Sequence, residues 1–446
     1  MDVVALRRKG LGNTSYLVEV GGNEAIVVDP DRTGRYAGEA KELGLTIVAV
    51  LETHLHADFV TGSLELADSL GAEIFAPKEG AFSFPHRPVV AGELLEFGHV
   101  RLEAIASPGH TPEHLSYVAY SPEAGAALFS GGALIAGGAA RTDLIDSSRT
   151  DELTRAEFHT IHEAFAGLAD ETSLYPTHGA GSYCSSGDRG RKPSTIGEER
   201  RSNPLLKVKD EDEFAAWFPT TFPATPAYFP RMREFNRRGP RLVKDIAAPP
   251  PLGAEEFMEA SRGGMVVDAR PSVEYLAAHI PGSLAIPHGE DFPLWLGWLA
   301  PADSPLFFVV GDVPPRQVVE DALLVGLETL GGYLGVGPGD WLRAGVPSAS
   351  MASIEPPDAR SVLGAGARAL DVREPAEYAS GHIEGAKNIP LGALSDRIGE
   401  LAEERPLIAY CSAGNRSTTA LSILERNRVG PPARVLSGGF RAWEGG

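Results

Sequence analysis

Cysteine is nearly absent: the 446 residues contain two, Cys184 and Cys411. That count excludes a disulfide-stapled secreted domain and leads us to expect a reducing, cytoplasmic compartment. Long apolar runs are missing too. No stretch approaches the roughly 20 consecutive apolar residues that span a bilayer, and the opening MDVVALRRKG lacks the apolar core of a secretion signal. No membrane partner is expected. Positive charge is in deficit, with 40 Lys and Arg against 60 Asp and Glu and a net charge of −20. A summed field of that sign repels phosphate, which argues against a nucleic-acid partner.

What is present fits a multidomain enzyme. The length predicts two to four domains of roughly 100–200 residues each. Hydrophobic residues make up 43% and charged residues 22%, a globular composition, and 51 Gly with 35 Pro promise many turns. Thr14–Val20 and Ala25–Asp29 flank a Gly-Gly-Asn turn and predict a hairpin. A helical stretch near Tyr36–Leu43 precedes Thr46–Glu52, a β-branched apolar run of the kind that forms a buried strand. Helical spacing returns at Leu64, Leu66 and Leu70, and the strand–loop–helix pattern continues to about Leu174. Two proline clusters, Pro219–Pro230 and Pro249–Pro251, enclose the basic stretch Arg231–Lys244. They predict either a domain boundary or an ordered wrapping segment.

Beyond Pro251 the chain repeats itself. Asp268–Pro287 aligns without gaps on Asp371–Pro390, matching at Asp268/Asp371, Arg270/Arg373, Glu274/Glu377, Tyr275/Tyr378, His279/His382, Gly282/Gly385 and Pro287/Pro390. The C-terminal half is therefore expected to hold two copies of one domain of about 100 residues. We place the domains at 1–235, a linker at 236–250, then 251–347 and 348–446.

In the second copy, the buried-strand run Leu407–Tyr410 leads into CSAGNRS and a helical pattern. Cys411 thus sits where a strand ends and a helix begins. Backbone N–H groups of the loop, the positive helix end and Arg416 all favour a thiolate there. A cradle of N–H groups also suits an anion or a bound persulfide. In the first copy the corresponding stretch FFVVGDVPPRQ offers Val310 or Gly311 and no nucleophile.

The second copy resembles the rhodanese (sulfurtransferase) family through Asp371–Glu374, Glu377-Tyr378, Gly381–Ile383, Asn388–Pro390, Cys411–Ser417, Gly438–Phe440 and Trp443. Four residues separate Cys411 from Arg416, as in the sulfurtransferase loop; the related phosphatases use a longer one. The resemblance implies that Cys411 attacks a sulfane sulfur, forms a persulfide and passes the sulfur to an acceptor. Arg416 would assist, and Ser412, Gly414 and Ser417 would line the substrate. The first copy would be a rhodanese scaffold without its chemistry.

At the other end, Thr46–Glu52 runs into THLHADF, placing His54, His56 and Asp58 on a loop at a strand end. His110 in SPGHTPEH and His178 in YPTHGAG also follow apolar runs. Histidines delivered from several strand ends predict a metal site. The arrangement resembles the metallo-β-lactamase superfamily over roughly Leu6–Leu206. The nearer match is its persulfide dioxygenase branch, through His54–Phe59, Ser107–Thr111 and Arg141–Leu144, and the HGAGSYC stretch with Ser194-Thr195 and Glu198–Asn203 resembles members fused to rhodanese domains. The fold class expected is α/β multidomain: an αββα sandwich followed by two rhodanese-like domains with parallel sheets.

The resemblance implies one Fe(II) per chain, held by His54, His110 and an aspartate. The aspartate's position in Leu128–Ala133 is Gly132, so the carboxylate is missing. His56, Asp58 or His178 are the residues left to complete the set, and zinc or no metal are the alternatives to iron. Phe59 stands where two-zinc hydrolases have a histidine, which favours one metal. Cys184 is implied as a thiol beside the pocket that accepts or relays sulfur, and Arg141 as the group meeting an anionic substrate. Arg189, Arg191, Lys192, Arg200 and Arg201 are expected to serve that anion or form a solvated surface. The function expected is oxidation of a low-molecular-weight thiol persulfide with O2 to sulfite, combined with sulfane sulfur transfer among persulfide, thiosulfate and sulfite. The rivals are a zinc hydrolase of glyoxalase II type and a metal-poor thiol-binding domain beside an active rhodanese. A homo-oligomer is compatible with the sequence.

Overall fold

The computed structural model describes residues 1–122, 125–179, 181–185, 194–401, 405–428 and 433–445. The chain divides into two compact units, residues 1–246 with 323–326 and residues 247–322 with 327–446.

The first unit is built on two six-stranded sheets. One runs Val3–Arg8, Asn13–Gly21, Glu24–Val28, Thr46–Leu51, Glu73–Pro77 and Arg87–Val89 in spatial order. The other runs Ser194–Thr195, Ser173–Pro176, Gly125–Gly131, Leu115–Ser121, Val100–Ala106 and Leu94–Phe97. Period-2 alternation sorts the side chains. Val18, Val20, Ile26 and Val28 meet Leu102, Tyr117 and Phe129 between the sheets. Leu17, Val27 and Val50 face outward instead, onto Tyr36, Ala40 and Leu66, carried by helices Arg35–Glu42 and Ser63–Leu70. The second sheet's outer face, Val118, Leu128 and Leu174, is covered by Phe158 and Phe214 from helices Thr150–His159 and Glu211–Trp217. This is the αββα sandwich anticipated, with the hairpin and the Thr46–Leu51 strand where the sequence pattern put them.

The proline-flanked stretch is an ordered part of this unit as far as Ile246. It contains helix Phe229–Arg238 and a turn at Val243–Asp245. Lys244 Nζ reaches Asp68 at 2.6 Å.

The second unit holds the two repeats. Each has a five-stranded parallel sheet of the same order. The first is Pro251–Leu252, Leu330–Leu334, Leu306–Val309, Met265–Asp268, Leu284–Ala285; the second is Ala352–Ile354, Ala433–Leu436, Leu407–Tyr410, Arg368–Asp371, Lys387–Asn388. The shared sequence motif has one structural purpose in both. Arg270 Nη2 donates to Asp268 at 2.6 Å and to the Ala278 carbonyl at 2.8 Å; Arg373 Nη2 does so to Asp371 at 2.6 Å and Gly381 at 2.7 Å. Tyr275 stacks on His279 at 4.1 Å and Tyr378 on His382 at 3.8 Å. The repeated Asp–Arg and Tyr–His pairs thus serve the scaffold of each copy. The copies also meet: Glu425 accepts from the Gly282 amide at 2.9 Å, and Ser422 Oγ from the Ala285 amide at 3.0 Å. Among the described residues no helix is long and apolar enough to cross a membrane.

Candidate functional site

The strand Thr46–Leu51 ends at a loop whose histidines are fixed by what their Nδ1 atoms touch. Thr53 Oγ1 donates to Asp29 at 2.7 Å, so its lone pair is free to accept from His54 Nδ1 at 2.8 Å. His110 Nδ1 donates to the Arg141 carbonyl at 2.7 Å. His178 Nδ1 lies 3.2 Å from Asp58 Oδ2, which also accepts from Asn13 at 2.6 Å. In His54 and His110 the outward hydrogen bond places the ring proton on Nδ1 and leaves an unprotonated Nε2. His54 Nε2 and His178 Nε2 face one another at 3.2 Å. His110 Nε2 is buried and has no hydrogen-bond partner. Asp58 Oδ2 thus orients a ligand candidate, while its Oδ1 is buried without a hydrogen-bond partner; His178 beside it holds its carboxyl well below the usual range despite burial.

His56 does not turn into the site with its Nε2. That atom lies 3.2 Å from Glu52 and 3.3 Å from Asp29. Burial opposes charge on the ring, but the two carboxylates outweigh it and push the pKa up to about 10. His54 and His110 are driven the other way, by burial first and then by neighbouring imidazoles. A neutral, unprotonated cluster is what a metal cation requires.

The sequence reading missed His114. Its Nδ1 bonds Ser107 Oγ at 2.8 Å and its Nε2 accepts from the Gly132 amide at 3.0 Å, so both nitrogens are used. Burial lowers its pKa to about 3. The ring stacks on His54 with centroids 4.9 Å apart. A Cβ on Gly132 would lie 2.6 Å from His110 Cδ2 and 3.0 Å from the Ala140 methyl. The place of the expected carboxylate is closed, not vacant. The only sequence signal for His114 was its position in SPGHTPEH, which carries no hint of its partner.

Arg141 corrects another expectation. Its guanidinium is spent within the protein, on Asp143 at 2.6 and 2.8 Å, Thr225 Oγ1 at 2.6 Å and the Pro223 carbonyl at 2.9 Å. It staples the proline-rich segment down instead of meeting a substrate. That segment supports the histidine loop: Tyr228 Oη donates to the Asp58 carbonyl at 2.9 Å, and Asn236 Nδ2 to those of His56 and Phe59 at 2.9 and 2.8 Å. Arg233 forms a bidentate pair with buried Glu113, 2.8 and 2.9 Å, and Glu113 accepts from the Leu55 amide. Of the basic residues beyond Cys184, Arg200 pairs with Asp170 and the carbonyls of Ala166 and Leu168, and Arg201 is exposed. Arg189, Arg191 and Lys192 lie outside the described residues.

Cys184 is fully buried. Its ligand atom and those of His110 and His178 lie within 4.8 Å of one another. Burial and Asp58 push its thiol well up. His54, His56 and His178 form a second such group.

In the second unit, Cys411 follows strand Leu407–Tyr410 and is 2% exposed. Its Sγ accepts from the Gly414 amide at 3.0 Å and lies 3.7 Å from the Ser417 hydroxyl. Gly414 caps helix Asn415–Arg426 at φ +116°, a left-handed conformation that costs glycine nothing. Behind the loop, the Phe440 amide donates to the Cys411 carbonyl at 2.7 Å, and a Cβ on Gly439 would collide with that same oxygen. The Gly-Gly-Phe motif is thus a backing plate for the nucleophile loop. Arg416 and Ser412 turn elsewhere: Glu377 receives Arg416 at 2.7 and 2.8 Å and Ser412 Oγ at 2.8 Å. Glu377 is burdened by burial, yet Arg416 and Ser412 hold its pKa at about 2. Strand register resolves the other copy. Asp371 pairs with Tyr410 and Asp268 with Val309, so the residue in the place of Cys411 is Val310.

Residues 8–184 match the model of the metallo-beta-lactamase superfamily, and residues 355–445 that of the rhodanese-like domain. The protein named Persulfide dioxygenase ETHE1, mitochondrial, of Homo sapiens is 33% identical over 193 residues, which span 42% of this chain and 69% of that protein. A hydroxyacylglutathione hydrolase of Methylobacillus flagellatus is 37% identical over 156 residues, covering 34% of this chain and 57% of the hydrolase. Among solved structures, a metallo-beta-lactamase from Staphylococcus aureus subsp. aureus COL superposes with a TM-score of 0.65 at 28% identity, over 75% of this chain and 98% of that one.

Proposed function

The chain belongs to the metallo-beta-lactamase superfamily and carries a rhodanese-like domain, and on that premise we propose that this enzyme of sulfur metabolism moves sulfane sulfur through a persulfide on Cys411. One observation carries the reading: Sγ of Cys411 sits against the Gly414 amide and the Ser417 hydroxyl at the start of a helix. Those donors stabilise negative charge on sulfur, first as thiolate and then as persulfide. The thiolate attacks the outer sulfur of thiosulfate or of a low-molecular-weight thiol persulfide. A bond forms between Cys411 and that sulfur as the bond to sulfite or to the carrier thiol breaks, and the leaving group departs with the electron pair. A thiolate acceptor then takes the terminal sulfur and frees Cys411.

A second reading is oxidation of the thiol persulfide with O2 to sulfite in the N-terminal pocket. The 33% identity to a persulfide dioxygenase supports it. The ligand set does not: an Fe(II) held by two histidines and one carboxylate needs an oxygen donor at position 132, and Gly132 has none and no room for one. The residues present do not fit that group. A two-zinc thioester hydrolase fits no better, since Phe59 is buried against His56 and Gly132 supplies no bridging oxygen.

The test is sulfur transfer from thiosulfate and from glutathione persulfide by the full chain and by Cys411→Ser. The reading expects transfer in the former alone. Transfer that survives the substitution overturns it.

A further inference from the structure

We propose that the N-terminal pocket holds one borderline-soft divalent cation of the zinc class on His110, His178 and Cys184, with His54 bordering the fourth position. Their ligand atoms lie within 4.8 Å of one another and all three residues are buried. His110 Nε2 stands in this enclosed space without a hydrogen-bond partner, a deficit that destabilises the fold unless something satisfies it. His54 Nε2 and His178 Nε2 lie 3.2 Å apart, close enough for both to approach one cation. Asp58 Oδ2, 3.2 Å from His178 Nδ1, supplies the carboxylate that commonly orients a metal-binding imidazole.

The donor chemistry selects the ion. Iron of the two-histidine, one-carboxylate type needs the oxygen that position 132 lacks. Two imidazoles and a thiolate are borderline and soft donors, which suit zinc. On binding, the Cys184 thiol loses its proton to solvent and a metal–sulfur bond forms, with no change in oxidation state.

The experiment uses the metal-stripped full chain and Co(II) as a spectroscopic stand-in for Zn(II). One equivalent of Co(II) is expected to give a thiolate-to-cobalt charge-transfer band in the near ultraviolet, and Zn(II) to abolish it by displacement. Cys411→Ser, which leaves only one cysteine, is expected to keep the band; Cys184→Ser and Cys184→Ala are expected to lose it. Zn(II) affinity in the Cys184 variants should fall by more than the roughly 10- to 100-fold typical of removing an outer partner. No Co(II) bound by the wild-type chain, Co(II) bound without the band, or a band that disappears with Cys411 rather than Cys184 would each overturn the assignment. Near-ultraviolet circular dichroism of the variants separates ligand loss from unfolding, and the Cys411→Ser spectrum decides the matter even if both Cys184 variants fail to fold.

Discussion

The amide of Gly132 donates to Nε2 of His114 at 3.0 Å. Through that bond a histidine engages the backbone where the superfamily resemblance implies a metal-binding aspartate. Truncation in His114→Ala would leave the buried Gly132 amide unpaired and open a void beside His54. The expected cost is about 1–3 kcal/mol for the orphaned donor, read as a lower denaturation midpoint in urea. An unchanged midpoint would mean the His114 ring contributes nothing to the pocket's rigidity.

Restoring the aspartate with Gly132→Asp is expected to fail. The obstacle is packing, since Gly132 is not among the glycines with positive φ, whereas its neighbour Gly131 has φ +55°. The new Cβ would crowd His110 at 2.6 Å. Overpacking of this kind costs about 1–3 kcal/mol, so the variant should melt lower and retain no more iron than wild type under equal loading. Higher iron content with undiminished stability would show that His110 swings aside.

Much of this was legible in the sequence, and the misses share a cause. THLHADF, SPGH and YPTH name His54, His110 and His178 because several histidines follow strand ends where one alone would more often be a surface or core residue, and CSAGNRS names Cys411 because loop length and glycine position are local. His114 and Glu377 act on partners 18 and 39 residues away, which no local pattern encodes. The resemblance implies that Arg141 faces a substrate; beside Asp143 and the Tyr183 carbonyl it binds a segment more than 80 residues downstream, beyond the reach of any local pattern. The proline clusters left boundary and wrapping segment equally open, and only the contacts of Tyr228, Arg233 and Asn236 decide between them.

Replacing the missing cysteine of the first copy should not create activity. Val310 occupies the place of Cys411 by strand register, but Val310 is followed by Gly311-Asp312-Val313-Pro314-Pro315, and its helix starts at Pro315, which has no N–H to offer. In the double variant Cys411→Ser, Val310→Cys, sulfur transfer should stay at background. Recovery of even a few per cent of wild-type rate would mean the cradle is dispensable.

The Glu377 carboxylate gives the second unit an acid-sensitive tie. Its pKa falls from the ordinary 4.5 to about 2, with Arg416 the largest cause opposing burial. A depressed carboxylate stabilises the fold above pH 4.5, and that contribution is lost as pH falls toward 2. The pair is partly exposed, so solvent screening limits it to roughly 0.5–1 kcal/mol. Melting temperatures of wild type and Glu377→Gln should differ at pH 6–7, draw together below pH 4.5 and converge only as pH approaches 2. A difference independent of pH would show that packing, not charge, is what the substitution removes.

The central claim is that sulfur rests on Cys411. The most direct measurement is intact-mass and peptide mass spectrometry of the full chain after brief exposure to thiosulfate, before any acceptor is added. The account predicts a gain of one sulfur atom per chain, located on the peptide bearing Cys411, removed by a thiol acceptor and absent in Cys411→Ser, whose transfer rate should fall by on the order of 10^3-fold or more, as deletion of a nucleophile does. Sulfur found on Cys184 instead, or transfer with no sulfur bound to the protein, would contradict it.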